Sequence, residues 1–314
     1  MTLQQLNYII AVDTYRNFQA AADKCFVTQP TLSMMILSLE KELGVKIFDR
    51  TKKPVIPTEI GKAIIERARA ILTETRIINE IIDEGKNSIE GELRLGIIPT
   101  IAPYLLPLFL KNFMDKYPGI RIKLAELTTE TIIDRLRKNM LDAGILATPL
   151  NDSSINEYPL FYEEFVVYLS KNEPAYKKNY ILAEDINPDH LWLLEEGHCL
   201  RSQVLNICEL RKRDHHGSSL EYQAGNIDTL RKMVDINFGI TILPELAVRD
   251  LNKKQMRNIR YFKPPGPVRE TSIVTHRSFV KKKFIQVLQE EILKNIPDKM
   301  KTKRSRGVIF INNK

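Results

Sequence analysis

Apolar residues Leu3, Leu6, Ile9, Ile10 and Val12 recur at helical intervals from Leu3 to about Tyr15, and a second short helix follows through Ala20, Ala21 and Ala22. Phe26-Val27-Thr28 interrupts that pattern. A third helix is expected next: Thr28 is a capping residue, Gln29, Pro30 and Thr31 make the first turn, and Leu32, Ile36, Leu39 and Leu43 form the buried stripe. Gly44 supplies the stop, since helices often end on a left-handed residue that glycine adopts without strain. Two short helices, a tight turn and a capped third helix predict a helix-turn-helix. Val45 to Pro57 reads as two short strands around a basic turn with Arg50, Lys52 and Lys53, the pattern of a wing.

From Thr58 to about Lys86 one helical pattern runs without an interior proline, and Ile64, Ile71 and Ile78 fall at heptad spacing beside Ala68 and Ile82. Such a stripe predicts a dimerisation helix that pairs two chains as a coiled coil. After Gly91 the pattern alternates between strands (93–97, 120–124, 165–169, 239–243) and helices (103–117, 131–140, 227–236). The expected fold class is therefore α/β with an N-terminal all-α, winged domain.

At 314 residues with 43% hydrophobic positions, the chain has material for two or three compact units. Its formal charge of +8 suggests nucleic acid, but residues 1–90 hold twelve Lys/Arg against twelve Asp/Glu. The excess gathers instead at 298–314, with six basic residues and one acidic, which reads as a disordered, solvated end. Local pattern, not net charge, therefore points to DNA. No basic n-region with an apolar h-region opens the chain, and no apolar run reaches membrane length, so a cytoplasmic protein without a membrane partner is expected.

Three cysteines remain. Cys199 sits in Gly197-His198-Cys199-Leu200-Arg201, and Cys208 follows nine positions later. An imidazole and a guanidinium beside a thiol favour its reactive thiolate if both are protonated and well oriented, and a second thiol can then resolve the oxidised first. The spacing is not C-x-x-C and no second pair completes a zinc site, so neither a metal nor another cofactor is expected. Spacing alone equally allows two unrelated, inert thiols. Cys25 reads as a small buried residue, Trp192 as packing near the Cys199 loop, and Asp214-His215-His216 as a polar surface loop rather than a metal site.

The first ninety residues resemble the LysR-type transcriptional regulators, through Asn17-Phe18-Gln19-Ala20-Ala21-Ala22, Thr28-Gln29-Pro30-Thr31-Leu32-Ser33, Leu39-Glu40, Leu43-Gly44-Val45, Phe48-Asp49-Arg50 and Pro57-Thr58-Glu59-Ile60-Gly61. The resemblance implies a winged helix-turn-helix over 1–57, a linker and dimerisation helix over 58–88, and a redox-sensing effector domain over 89–297. That domain would have two subdomains like a periplasmic binding protein, 89–162 with 268–297 and 163–267, followed by the basic tail 298–314. It also implies Gln29 and Thr31 near bases, Ser33 near phosphate, Pro30 as a further DNA-binding position, and Arg50, Lys52 and Lys53 on the DNA backbone or minor groove. Where many members carry basic residues further along the recognition helix, this chain has Met34, Leu37 and Ser38.

Within that family, the Gly197–Arg201 segment with Cys208, Ile98-Pro99-Thr100, Pro103–Pro107 and Asp228–Val234 are similar to the members that sense hydrogen peroxide. The likeness implies that Cys199 is the peroxidatic thiol and Cys208 the resolving one, with Thr100 and Thr129 lining the pocket and His198, Leu200 and Asp228 as further ligand-binding positions. It implies no enzyme but an activator of oxidative-stress genes, a homotetramer built as a dimer of dimers that binds promoter DNA and RNA polymerase and is reduced by glutaredoxin or thioredoxin. Two positions depart from those relatives: Glu221 stands where a histidine is usual, and Glu270 where a second arginine is. A helix over 199–208 would hold the two Cα atoms about 13 Å apart, beyond the roughly 4.4–6.8 Å of a disulfide. Bridging would then require the segment to refold. Three other readings compete: a LysR-type regulator binding a small metabolite between its subdomains with incidental cysteines, a thiol peroxidase, and a periplasmic transport protein.

Overall fold

The computed structural model describes residues 1–84, 90–208, 224–236, 238–302 and 307–309, and of residues 76, 77 and 79–84 the backbone alone. It divides into two compact units, Met1–Asn87 and Ser88–Lys314.

In the first unit, α1 (Leu3–Tyr15) begins with a capping box between Thr2 and Gln5, α2 (Phe18–Lys24) is capped by Asn17, and α3 (Gln29–Leu43) is capped by Thr28. Gly44 ends α3 in the left-handed region at φ 70°. Leu6, Ile9, Val12, Ala21, Leu32 and Ile36 meet in one core, so the three helices bury most of the stripes their spacing predicts, while Leu3 and Leu43 at the helix ends are exposed. The wing is short: β1 (Phe48–Asp49) pairs antiparallel with β2 (Ile56–Pro57). The buried carboxylate of Glu40 joins it to α3 by accepting from the Ile47 and Phe48 amides at 2.8 and 3.2 Å.

The helix α4 (Glu59–Glu84) packs Ile65 and Ala68 into this core. A Cβ on Gly61 would fall 2.0 Å from the Ile47 carbonyl oxygen, so this close approach requires glycine. Ile71 and Ile78 are exposed, leaving part of the heptad stripe open to solvent. Cys25 is half-buried at the end of α2 rather than fully enclosed.

The second unit opens with β3 (Gly91–Ile97), α5 (Ala102–Lys116), β4 (Ile120–Glu126), α6 (Thr129–Arg137) and β5 (Ala143–Thr148), with β3 parallel to both β4 and β5. Next come β6 (Ile155–Leu169), β7 (Tyr180–Ile181), α7 (Cys199–Ile207), α8 (Ile227–Asp235) and β8 (Ile240–Pro244). The chain closes with α9 (Lys253–Met256), β9 (Ile259–Phe262), β10 (Val268–His276), α10 (Lys282–Asn295) and α11 (Asp298–Lys301). The sheet order is β4-β3-β5-β10-β6-β9-β7, with β8 also on β6.

Two hydrophobic cores share this sheet, and β6 serves both: Leu160 and Phe161 belong to the first, Phe165 to Leu169 to the second. Antiparallel pairing of β10 with β5 and with β6 returns the chain to the first core, where α10 covers it.

The described part of the C-terminal tail is packed, contrary to the solvated end its charge suggested. Met300 is buried in the first core, and Lys299 pairs with Glu245. Val268 donates to Gly307 O at 2.7 Å, Ile309 donates to Val268 O at 2.9 Å, and Gln203 Nε2 donates to Ile309 O at 3.1 Å. Backbone pairing and apolar burial outweigh the surrounding charge. Lys303, Arg304, Ser305 and Arg306 lie outside the described residues, as do Glu221 and Asp214-His215-His216.

Candidate functional site

Gly197 lies in the left-handed region at φ 93°, which turns the chain so that Cys199 becomes the first residue of α7. The residue before it, His198, holds the capping position without a side-chain cap bond. The backbone amides of Cys199 and Leu200 therefore point at the Cys199 sulfur as hydrogen-bond donors. The thiol is buried in the first core, whereas Leu200, Val204 and Ile207 of the same helix pack in the second. One side chain of α7 thus crosses from its own core to the other.

Three side chains from the first core's strands and helices complete the surroundings. Thr129 opens α6, behind the Thr128 cap, and among the described residues its buried hydroxyl has no hydrogen-bond partner other than the thiol it faces. Arg269, on β10, is fully buried and its charge acts on the sulfur. Its guanidinium donates to Thr100 Oγ1 at 3.3 Å and, through Nε and Nη2, to Glu163 Oε1 at 2.9 and 2.6 Å. The other oxygen of Glu163 accepts from the Leu246 amide at 2.9 Å. A buried guanidinium is tolerated here because a carboxylate and a hydroxyl satisfy it.

Burial pushes the Cys199 thiol above its ordinary value, while Arg269, Thr129 and the two amides work in the opposite direction. The adjacent side chains are engaged elsewhere: Arg201 Nη1 donates to Leu194 O at 2.9 Å, and His198 Nε2 lies 3.7 Å from Glu195. The cation that matters is distant in sequence. Cys208, half-buried at the far end of α7, is pushed up to about 12 by burial alone. Both thiols are free, and the helix between them holds the Cα atoms about 13 Å apart.

Of the residues singled out from sequence, Cys199, Thr129 and Thr100 come together, Thr100 through Arg269. Leu200 is buried in the second core, and Asp228 accepts from Tyr104 Oη at 3.2 Å and Arg231 Nη1 at 3.1 Å. Arg269 and Glu163 were missed as site residues. Each stands beside a second charge on its strand, Glu270 after Arg269 and Glu164 after Glu163, so the sequence did not say which of the two faces the core. Glu270 belongs to the opposite face of β10, where it accepts from Thr148 Oγ1 at 2.7 Å and from Tyr162. Trp192 packs on Phe238, donates to its carbonyl at 2.9 Å, and lies against the second core, which also holds Leu200 of α7.

On α3, Pro30 and Thr31 are exposed, Gln29 and Ser33 half-buried, and Lys52 and Lys53 project from the wing turn. Arg50 is drawn inward: it donates to Ser33 Oγ at 3.1 Å and Glu40 Oε2 at 3.2 Å, and its guanidinium carbon lies 4.8 Å from the centre of the Phe18 ring. Among the described residues, no cluster of three or more His, Cys, Asp and Glu could hold a metal, and no helix is long and apolar enough to cross a membrane.

Residues 3–62 match the model of the bacterial regulatory helix-turn-helix proteins of the lysR family, and residues 86–295 match that of the LysR substrate binding domain. A hydrogen peroxide-inducible genes activator of Haemophilus influenzae is 34% identical over 278 residues, covering 87% of this chain and 90% of that protein. The DNA-binding transcriptional dual regulator OxyR of Escherichia coli is 34% identical over 81% of this chain and 82% of its own length. A full-length Cys-to-Asp variant of OxyR from Pseudomonas aeruginosa superposes with a TM-score of 0.77 at 34% identity, covering 94% and 99% of the two chains.

Proposed function

The chain belongs to the LysR family of bacterial transcription regulators, and from that premise we propose that it senses hydrogen peroxide through Cys199 and answers by changing transcription. One observation carries the reading: a buried thiol at a helix N-terminus, facing the Thr129 hydroxyl and the Arg269 charge, with its only nearby sequence partner, Cys208, held at the other end of the same helix.

The chemistry balances in two steps. The Cys199 sulfur attacks one oxygen of the peroxide, the O–O bond breaks, and the departing hydroxide takes up the thiol proton as water, leaving a sulfenic acid. Thr129 and Thr100 orient the peroxide, and Arg269 stabilises the negative charge that develops. The Cys208 sulfur then attacks the sulfenic sulfur, forming the disulfide and releasing a second water. Burial that holds the thiol protonated restrains general thiol exchange, since the thiolate is the reactive form.

The helix sets the consequence. A span of about 13 Å cannot be bridged by a bond that needs roughly 4.4–6.8 Å, so oxidation selects a second packing in which α7 is unwound. That repacking changes contacts within a homotetramer, repositions its DNA-binding domains on the promoter and recruits RNA polymerase. Glutaredoxin or thioredoxin resets the disulfide in the cytoplasm.

The test is promoter footprinting with reduced and peroxide-treated protein, paired with mass spectrometry of the cysteines. A Cys199–Cys208 linkage with an altered footprint, both lost in Cys199→Ser, is expected. Peroxide that never links the two thiols, or a normal response from Cys199→Ser, refutes the mechanism and leaves a metabolite-binding regulator with incidental cysteines.

A further inference from the structure

The exposed face of α3 carries no charged side chain before Lys41 in its last turn. Thr31, Met34, Leu37 and Ser38 occupy that face, opposite the buried Leu32, Ile36 and Leu39. Met34 is 63% exposed and Leu37 52%, so neither side chain is needed by the core of its own unit. Nearby hydroxyls are already engaged: Thr31 Oγ1 lies 2.8 Å from Thr28 Oγ1, and Ser33 Oγ accepts from Arg50 at 3.1 Å. Gln29 is left as the polar side chain at the start of the helix suited to reading a base edge.

Met and Leu cannot donate or accept a conventional hydrogen bond to a base edge. The largest apolar feature of the major-groove floor is the 5-methyl group of thymine, while the donors and acceptors there lose solvation beneath an aliphatic side chain. Residues 31, 34 and 37 advance about 4.5 Å per step along the helix, against about 3.4 Å per base pair of duplex. Met34 and Leu37 thus fall over neighbouring base-pair steps. An amide such as that of Gln29 pairs in bidentate fashion with adenine.

We propose that Met34 and Leu37 are specificity-determining residues that read thymine methyl groups in the major groove, so that with Gln29 the recognition helix selects an A·T-rich half-site. The inference rests on the DNA-binding reading above and is independent of the redox step. Members with basic residues at these positions would draw affinity from phosphates or guanine; this chain draws discrimination from methyl burial.

A duplex recovered from a randomised pool by the full-length reduced chain is the probe. Each thymine is replaced singly by deoxyuridine, which removes only the methyl, and binding is measured by fluorescence anisotropy. At one or two thymines per half-site the substitution weakens binding about fourfold, the equivalent of about 0.8 kcal/mol for one methyl-sized group. Met34→Gln and Leu37→Asn, with unchanged circular dichroism melts, each abolish the thymine preference at one position and leave the other intact, while Met34→Leu retains it. Wild-type protein that tolerates deoxyuridine everywhere overturns the inference, as do variants that keep both preferences. Recovery of no sequence from the pool overturns the regulator reading, and this inference with it.

Discussion

Ser202 is the fourth residue of α7 and follows Arg201, whose amide donates to His198 O at 3.0 Å. A proline ring there crowds the carbonyl of the preceding turn, at a cost of about 2.5 kcal/mol relative to serine. The cost falls on the reduced protein, because a chain bridged from Cys199 to Cys208 cannot keep a helix that holds its ends about 13 Å apart. Oxidation therefore becomes more favourable by about the same amount, and the reduction potential becomes more negative by about 50 mV. Ser202→Gly shifts it by about 10 mV in the same direction, and Ser202→Ala by a similar amount in the other. Equilibration in thiol–disulfide buffers of known potential, followed by mass-spectrometric counting of the linked cysteines, reads these shifts. A proline variant within about 10 mV of wild type would mean that α7 survives oxidation, and the geometric conflict would not be the switch.

Because burial raises the Cys199 thiol above its ordinary 9.0, its oxidation rate should keep rising as pH passes 9.0, where a low-pKa thiol would have reached a plateau; stopped-flow measurement with peroxide tests this. The same shifts set a stability trend. The folded thiols hold their protons above the pH at which the unfolded ones release them, so stability of the reduced protein falls from pH 9.0 upward, and for Cys208 until about 12. Cys208→Ser should flatten that fall in urea denaturation. Arg269→Met leaves the fully buried Glu163 without its cation and should cost about 3–5 kcal/mol, with much of the loss recovered in the Glu163→Leu double variant; a loss below about 1 kcal/mol, the range of an exposed pair, would refute the buried-pair account. A chain ending at Thr302 loses three hydrogen bonds and the seat of Ile309 and should be destabilised by about 1–2 kcal/mol in thermal or urea melts. An unchanged midpoint would show that the tail contributes nothing.

Much of the first unit was legible in the chain because its determinants are local. Thr28, Pro30 and Gly44 act within a turn of where they sit, and the spacing of Leu32, Ile36 and Leu39 follows directly from the helical period. The reversal in the tail has the opposite origin. Six basic residues among seventeen argued for solvation, but α11, which carries Met300, packs on β6, and the partners of Ile309 are Val268 and Gln203, all far away along the chain.

The site divides along the same line. Sequence alone determined that Cys208 lies nine residues after Cys199 and that a helix between them would forbid a disulfide; the structure supplied that helix, started by the left-handed turn at Gly197. Tertiary structure decided the electrostatics. It turned the adjacent Arg201 onto a carbonyl and brought Arg269 from seventy positions away, so that the guanidinium acting on the thiol is not the one written next to it. It also buried the sulfur, which reversed the expected direction of its shift. The physical reason is that backbone periodicity and capping are set by neighbours in the chain, whereas burial and charge depend on distance in space, which here is fixed by the pairing of β6 with β10.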